Sequence, residues 1–388
     1  MTTQPIHSTN IQASTGVPII PVTAQQTLRV LHVVNGEYYA GAERVQDLLA
    51  LHLPEFGCEV GFACVKADQF PSKRQCSEAP LAKTSMSHPW NRQGVRDIVD
   101  LVNDGNYDLI HSHTPRSAWA AVRAAQLVDC PIVHTMHDVS LGQKCNAARK
   151  TLNRFTISRL RNVDVVTTVS PVSQSLAERL RLGKRSQMIL NGVPAARSDF
   201  QRTRPSDTWT LGTVGLIRPC KGIEVLIRAI ATLRSRQCPA RASVVGTFYT
   251  PEYEREVMAL VDELGVGDLI DFVGFSSDVP SHLEKFDLFV MPSVGPEGLP
   301  MVLLEAMAHS LPTIGSAVAG VGDVVVSGEE GFLFPAGDDE KLANAVQQFT
   351  SGQANWKAMS EKAKVRHENE FSARRMASEF VEIYRSVM

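Results

Sequence analysis

Two glutamates lie eight residues apart in a stretch rich in glycine, proline and aliphatic residues. Glu297 belongs to the loop, and Glu305 lies within the aliphatic run 301–307, which the pattern predicts as a helix beginning after Pro300. A carboxylate in apolar surroundings is costly unless hydrogen bonds satisfy it, and sugar hydroxyls supply such bonds. The alternative is that Glu305 satisfies backbone amides and Glu297 is a solvated loop residue.

A second stretch places two cations before another predicted helix. Arg218 and Lys221 precede Gly222, and helical spacing follows over residues 223–233. The start of a helix attracts phosphate oxygens because its first N–H groups are unpaired. Arginine adds a fork of donors and lysine a mobile point charge. The two stretches together predict a site for a diphosphate that carries hydroxylated groups.

Three histidines lie in or next to predicted strands of the first half. His113 follows a strand into a loop and is the strongest functional candidate, and His137 ends the next strand. His111 lies inside a strand, which favours a hydrogen-bonded residue of the core.

Alternating strand and helix patterns must position these residues. They predict an α/β fold with two Rossmann-like, doubly wound domains facing across a cleft, where ligands bind at the carboxyl ends of the strands. The predicted divisions are a disordered leader (1–26), an N-terminal Rossmann-like domain (27–196), a linker (197–208), a C-terminal Rossmann-like domain (209–367) and a C-terminal helix (368–388). The apolar spacing of that helix makes it a candidate for packing back on the N-terminal domain.

Composition narrows the class of protein. The chain has 388 residues, 44% of them hydrophobic, and a net charge of −2, which argues against a surface built for nucleic acid. No apolar run is long enough to cross a bilayer, and the leader lacks a signal-peptide pattern. Seven cysteines without a C-x-x-C pair indicate neither a disulfide framework nor a zinc site. A reducing cytoplasm is the expected location.

A basic region in the first half has two interpretations. Residues 143–204 hold thirteen lysines and arginines against three acidic residues, among them Arg149, Lys150, Arg154, Arg159 and Arg161. Such a face could contact an anionic membrane surface or a phosphorylated lipid acceptor, with the protein peripheral on the inner face of the membrane. The alternative is an ordinary solvated face.

Taken together, these motifs resemble glycosyltransferase family 4, the retaining enzymes with a GT-B fold. The similarity runs from Leu28 over nearly the whole chain. In the second half it includes the E-x7-E pair Glu297 and Glu305, Lys221-Gly222, residues 244–246, 272–274 and 287–293. In the first half it includes residues 41–44, 111–113, 135–138 and 191–193.

The resemblance implies that the domain 27–196 is the acceptor side and that the domain 209–367 binds the nucleotide sugar. It also implies the site residues. Glu305 would bind the ribose, Arg218 and Lys221 the diphosphate, and His113 would lie by the transferred sugar. The remaining implied contacts are Glu297 with Gly298, Leu299 and Pro300 for the donor sugar, Val273 and Gly274 for the base, the Gly41 loop for phosphates or acceptor, Gly246 among the donor-binding residues, and His137 on the acceptor side. The chain departs from the family pattern at Ala40, Leu216 and Ser310.

The implied reaction is hexosyl transfer from a UDP- or GDP-sugar to a glycan or lipid-linked acceptor, with retention, in polysaccharide or glycoconjugate biosynthesis. No D-x-D occurs in the chain, so we expect no metal and no other cofactor. Two alternatives stay open: a sugar-nucleotide epimerase on a related fold, and a silent partner in glycan assembly that retains the donor fold. A dinucleotide oxidoreductase is disfavoured because neither domain opens with G-x-G-x-x-G.

Overall fold

The structure is a computed structural model that describes residues 27–86, 91–137, 139–142, 147–197, 199–205 and 207–388. The predicted leader, Asp138 of the first-half motif, Cys145 and the side chain of Arg149 lie outside the described residues. Within them the chain forms two parallel sheets with helices, which confirms the predicted fold class.

The N-terminal sheet has seven parallel strands in the order β3-β2-β1-β4-β5-β6-β7. They are β1 (Leu28–Asn35), β2 (Cys58–Val65), β3 (Leu81–Thr84), β4 (Leu109–Ser112), β5 (Ile132–Met136), β6 (Val165–Thr168) and β7 (Arg185–Met188). The strand order reverses between β1 and β4, where His32 pairs with His111. Ligands bind at such a switch point in open α/β sheets.

Helices on both faces connect these strands: α1 (Gly41–His52), α2 (Phe70–Lys73), α3 (Arg92–Asp104), α4 (Pro115–Val128), α5 (Ala147–Leu160) and α6 (Pro171–Leu180). Local sequence sets where two of them begin. Thr114 caps α4 and Ser170 caps α6, each accepting a hydrogen bond from the amide three residues on, with proline next in the chain. Helix α4 therefore begins two residues after His113.

The C-terminal sheet has the order β10-β9-β8-β11-β12-β13. Its strands are β8 (Trp209–Val214), β9 (Ala240–Val245), β10 (Ile270–Gly274), β11 (Leu288–Met291), β12 (Thr313–Ser316) and β13 (Gly331–Phe334). Its helices are α7 (Ile223–Ser235), α8 (Pro251–Leu264), α9 (Val279–Leu283), α10 (Met301–Ala308), α11 (Asp339–Thr350) and α12 (Trp356–Arg366). The strand order reverses between β8 and β11. The loop after β8 carries Lys221, and the loop after β11 carries Glu297.

The last helix, α13 (Ala373–Arg385), packs on the N-terminal domain. The chain returns there through a short parallel bridge in which the Val193 amide donates to Phe371 and the Ala373 amide donates to Val193. Phe380 and Tyr384 are both buried, and the guanidinium of Arg385 donates to the carbonyl of Phe56 at 3.0 Å. The helix that ends the chain thus completes the core of the domain that begins it.

The segment between the domains is tied to the second one. Arg202 donates to the backbone carbonyls of Leu283, Phe286 and His309. Burial lowers the pKa of Arg202 to about 10. Within the described residues, no helix has both the length and the apolar composition to cross a bilayer.

Candidate active site

Lys221 and Glu297 form the centre of the candidate site in the C-terminal domain. The Lys221 ammonium donates to both carboxylate oxygens of Glu297, at 2.8 and 2.9 Å. The hydroxyl of Ser293 donates to the same carboxylate at 2.7 Å. The Glu297 side chain is only 12% exposed and the Lys221 side chain 27% exposed. Charge-assisted hydrogen bonds therefore join the two groups where water is partly excluded.

Close backbone packing fixes this arrangement. Gly222 has φ +65°, and a Cβ there would collide with the carbonyl oxygen of Pro292. Only glycine combines the left-handed conformation with so close an approach. A 3₁₀ turn over Pro219–Lys221 precedes α7, whose first turn has no side-chain cap. The turn therefore sets Lys221 beside the uncapped start of a helix.

Glu305 lies on the first turns of α10 and contacts the other domain. Its carboxylate is 12% exposed and accepts a hydrogen bond from the guanidinium of Arg44 in α1. Burial alone would lower the pKa of Arg44, but the charge and hydrogen bond of Glu305, together with Tyr39 and Asp47, outweigh burial and raise the pKa. Helix α10 begins after Pro300 without a side-chain cap. The residue predicted to bind ribose is thus paired with a cation across the cleft.

The two domains meet at the donor loop. A Cβ on Gly298 would stand 2.6 Å from the carbonyl oxygen of His137, and one on Gly41 would stand 3.7 Å from the side chain of Met301. Ala40, which precedes Gly41, is extended at φ −122°. Any residue adopts that conformation, so alanine causes no strain where the family commonly has glycine.

The remaining predicted donor residues lie along neighbouring strand ends. Gly246 follows β9 and Gly274 ends β10, and the amide of Gly246 donates to the carbonyl of Gly274 at 2.8 Å. Both have positive φ. Val273 is half-buried beside them, whereas Arg218 is exposed at the start of its turn. Leu299 is buried and Pro300 half-buried in the loop that carries Glu297.

Buried histidines occupy the switch point of the N-terminal sheet. His113 is 1% exposed; its Nδ1 lies 3.2 Å from Nε2 of His137, and its Nε2 lies 3.3 Å from Nδ1 of His32. His111 is fully buried and bonds Tyr384 and Thr135, each at 2.8 Å. The predictions for His111 and His113 differ, yet both residues belong to one cluster behind the cleft.

The cluster could supply metal ligands, since ring nitrogens of His32, His111 and His113 lie within 4.8 Å of one another. Both ring nitrogens of His111 are already engaged, one with Tyr384 and one with Thr135. The ring centres of His111 and His113 lie 3.9 Å apart with the ring planes tilted by 36°, whereas ligand nitrogens must converge in the ring plane at about 2 Å from zinc. The geometry therefore favours a hydrogen-bonded cluster.

Burial keeps these imidazoles neutral. It lowers the pKa of His32 and of His134 to about 3, and it lowers the pKa of His111 and His113 well below the ordinary value. A neutral imidazole donates from one nitrogen and accepts at the other.

A further cationic group lies at the strand ends of the first domain. Lys66 follows β2 and Arg116 lies in the first turn of α4, and both donate to the carboxylate of Glu37, at 3.1 and 2.6 Å. These hydrogen bonds hold the pKa of Glu37 below its ordinary value.

Sequence reasoning did not find several of these residues. Arg44 lies within a motif that we noted, but its partner Glu305 is 261 positions away. His32, His134 and Tyr384 gave no signal of their own. For His32, the available signal was its place in β1 beside the strand that carries His111.

Comparison with known proteins identifies the family. Residues 195–366 match the profile of the glycosyl transferases group 1, and residues 39–197 match that of glycosyltransferase family 4. The chain is 28% identical over 324 residues to the D-inositol 3-phosphate glycosyltransferase of Rhodococcus opacus, covering 72% of this chain and 68% of the relative. It is 25% identical over 313 residues to the N-acetyl-alpha-D-glucosaminyl L-malate synthase of Bacillus anthracis, covering 77% and 80%.

Solved structures agree on the architecture. The crystal structure of Anabaena Alr3699/HepE in complex with UDP superposes with a TM-score of 0.79 at 22% identity, over 92% of this chain and all of that one. The lipopolysaccharide outer core galactosyltransferase WaaB superposes with a TM-score of 0.70 at 17% identity, over 92% and 100%. The chain therefore belongs to the group 1, family 4 glycosyltransferases, enzymes of GT-B fold that use a nucleotide-sugar donor.

Proposed function

We propose that the protein transfers a hexose from a nucleoside diphosphate sugar to a glycan or lipid-linked acceptor, with retention and without a metal ion. The observation that carries the proposal is the pair of uncapped helix starts, α7 and α10, with Lys221, Glu297 and Glu305 beside them. A diphosphate needs amides and a cation together, and a hydroxylated sugar and ribose need carboxylates.

The proposed roles follow the positions of the residues. Glu305 accepts from the ribose hydroxyls, Lys221 and Arg218 contact the diphosphate, and Glu297 with residues 298–300 holds the donor sugar. Val273, Gly274 and Gly246 lie by the base. Crystals of HepE with UDP and with UDP-glucose support uracil as the base; GDP is the alternative.

In the proposed reaction the acceptor hydroxyl attacks the anomeric carbon on the face from which the diphosphate leaves. The carbon–oxygen bond to the phosphate breaks, and the hydroxyl proton passes to a phosphate oxygen. Lys221 and the helix termini stabilise the charge that develops on the leaving group. Turnover that EDTA abolishes and Mg²⁺ restores would overturn this account of the leaving group.

Thermal shift measurements test the donor site directly. A ligand that binds only the folded state raises its apparent stability. We expect UDP to raise the melting temperature, or GDP to do so if the donor base is guanine. We expect Glu305→Ala to abolish the shift. Glu329→Ala is the matched control, because Glu329 is an exposed glutamate paired with Lys362. A full shift in Glu305→Ala would contradict the proposed ribose contact.

We also propose that helix α5 brings the acceptor-side domain to an anionic membrane surface. Lys150 and Arg154 on α5 and Arg161 just after it are exposed, and the guanidinium of Arg159 lies 5.1 Å from the ring centre of Phe155. Each basic residue near an anionic surface contributes about 1 kcal/mol of attraction.

Vesicle sedimentation tests the membrane proposal. We expect binding to vesicles that contain phosphatidylserine, and loss of binding when Arg154, Arg159 and Arg161 are replaced by glutamate. The matched control makes the same charge change at Arg255, Lys341 and Lys357 in the second domain and retains binding. No binding by the unaltered protein would end the proposal.

A further inference from the structure

A chain of hydrogen bonds links the C-terminal helix to the cleft histidines. On one side, Tyr384 contacts Nδ1 of His111 at 2.8 Å, and Nε2 of His111 contacts the hydroxyl of Thr135 at 2.8 Å. Thr135 in turn lies 2.7 Å from the hydroxyl of Thr167. These four residues come from four elements, α13, β4, β5 and β6.

On the other side, the phenol of Tyr384 reaches Nε2 of His32 at 3.5 Å, the longest and weakest link. Nδ1 of His32 lies 3.3 Å from Nε2 of His113, and Nδ1 of His113 lies 3.2 Å from Nε2 of His137. The backbone of His137 lies against Gly298 of the donor loop. The chain thus runs from the interior of the sheet to the predicted donor site.

The direction of one bond fixes the direction of the others. A neutral imidazole has one N–H and one acceptor nitrogen, and a hydroxyl donates once. If Tyr384 donates to His32, then His32 donates to His113 and His113 donates from Nδ1 to His137. If Tyr384 donates to His111 instead, every bond on the His113 side reverses, and His113 carries its proton on Nε2.

Burial makes the alternation strict. His32, His111 and Tyr384 are fully buried and His113 is 1% exposed. Burial lowers the pKa of the histidines and raises that of Tyr384, so all four are neutral at ordinary pH. An unpaired N–H or lone pair in such surroundings is costly. No member of the chain can change tautomer independently.

We infer that Tyr384 and His32 are positioning residues that set the tautomer of His113. The inference rests on the proposed function, in which the donor sugar binds at the loop that lies against His137. Both ring nitrogens of His113 are engaged within the chain of hydrogen bonds, so its tautomer acts through His137: a neutral His137 that accepts at Nε2 carries its proton on Nδ1, and one that donates from Nε2 has Nδ1 as an acceptor. The C-terminal helix thereby contributes a residue to the arrangement of the cleft without contacting the substrate.

Nitrogen NMR of protein labelled at its histidine rings tests the inference without a substrate. Ring nitrogen shifts distinguish protonated from unprotonated nitrogens, and His113→Gln assigns the signals of His113. We expect a single tautomer of His113 in the unaltered protein and a mixture in Tyr384→Phe, which removes only the phenol oxygen. Tyr107→Phe is the control, because Tyr107 belongs to the same domain but precedes β4 at the opposite end of the strand.

A second variant keeps the test decisive if Tyr384→Phe does not fold. Thr135→Val preserves side-chain shape and removes the hydroxyl at the far end of the chain from His113. We expect it to change the His113 tautomer as well. An unaltered His113 tautomer in either folded variant overturns the inference. A variant that lowers the melting temperature but leaves the His113 tautomer unchanged therefore also overturns it.

Kinetics separate this inference from the proposed function. We expect Tyr384→Phe to lower kcat about 2- to 10-fold, the equivalent of one ordinary hydrogen bond, with KM for the donor unchanged. If no nucleotide sugar is turned over by the unaltered protein, the proposed function fails, while the NMR result still decides whether the chain sets the tautomer. If turnover occurs and both kcat and tautomer are unaffected, the inference alone fails.

Discussion

Lys221 has different partners in the resting protein and in the proposed reaction. In the structure it neutralises Glu297, with both carboxylate oxygens within 2.9 Å. In the reaction it would face the departing diphosphate. A lysine suits both tasks because its flexible stem allows the ammonium to move between partners.

We predict that Lys221→Met lowers kcat/KM about 10- to 100-fold, because a hydrogen bond to a charged group contributes about 1.5–3 kcal/mol. It also removes the cation from the partly buried Glu297 carboxylate and leaves it the hydrogen bond from Ser293, so the free energy of unfolding should fall by about 1–3 kcal/mol. Steady-state kinetics and urea unfolding measure the two effects.

The double variant Lys221→Met, Glu297→Gln separates stability from chemistry. Removing the unpaired charge should restore the free energy of unfolding but not the activity. Lys357→Met, at an exposed position in α12, is the control. Activity within twofold of the unaltered enzyme in Lys221→Met would contradict a role at the leaving group.

The residues of the donor half could be predicted because their signals are local. Lys221 and Glu297 lie between a strand and a helix, and Glu305 lies in the helix that follows Glu297. Such positions alone indicate a ligand there. Their present partners could not be predicted. Arg44 meets Glu305 from 261 positions away, and no local pattern specifies which long-range pair forms in the folded chain.

At the scale of elements, β1, β4 and β5 carry a row of buried histidines that makes the first domain sensitive to acid. Burial lowers the pKa of His32 and of His134 from 6.5 to about 3. Between those values the unfolded chain binds more protons than the folded one. The stability that these neutral, buried histidines contribute is fully present above pH 6.5 and is lost as the pH falls toward 3.

We predict that the free energy of unfolding falls by up to about 1.4 kcal/mol per pH unit for each such histidine below its unfolded pKa. Urea unfolding at about pH 7.5, 6.5 and 5.5 measures the slope. His134→Asn removes one titrating group and should flatten it. Equal slopes for the two proteins would show that His134 is protonated in the folded state.

The C-terminal helix α13 has an energetic role in the opposite domain. Phe380 is 2% exposed, and its ring centre lies 5.1 Å from that of His111. We predict that Phe380→Ala destabilises the N-terminal domain by about 3–5 kcal/mol, as expected for a phenylalanine removed from a packed core. Thermal unfolding measures the loss.

Met388→Ala is the matched control for α13, since Met388 is 62% exposed at the end of the chain. Its effect should stay within about 0.5 kcal/mol. The apolar spacing of α13 predicted a buried face and made the N-terminal domain its candidate partner, but the residues that contact it there could not be predicted from the sequence. Helical periodicity defines which side is buried and leaves the partner unspecified.

At the scale of the whole molecule, the two domains are held together across the donor site. Arg44 of the first domain bonds Glu305 of the second, and Gly41 and Gly298 each lie against the opposite domain. In the proposed donor complex the ribose hydroxyls donate to the Glu305 carboxylate, to which Arg44 already donates at Oε1. We expect nucleotide and Arg44 to compete for this partly buried carboxylate.

We predict that Arg44→Met tightens nucleotide binding. The substitution frees Oε1 of Glu305, and it leaves a carboxylate that is 12% exposed without its cation until the ribose binds. Both effects favour the complex, and the loss of one charge-assisted bond converts to an affinity gain of about 10- to 100-fold. Titration calorimetry with UDP, or with GDP if that nucleotide gives the thermal shift, measures it.

A double-mutant cycle shows whether the gain passes through Glu305. In a Glu305→Ala background the ribose has lost its acceptor, so Arg44→Met should change the affinity by less than about twofold. Arg44→Lys retains a cation on a shorter and less directional side chain. Its affinity for the nucleotide should lie between those of the unaltered protein and Arg44→Met. Weaker binding by Arg44→Met would mean that Arg44 contacts the nucleotide itself, and the ion pair across the cleft would then help to assemble the donor site.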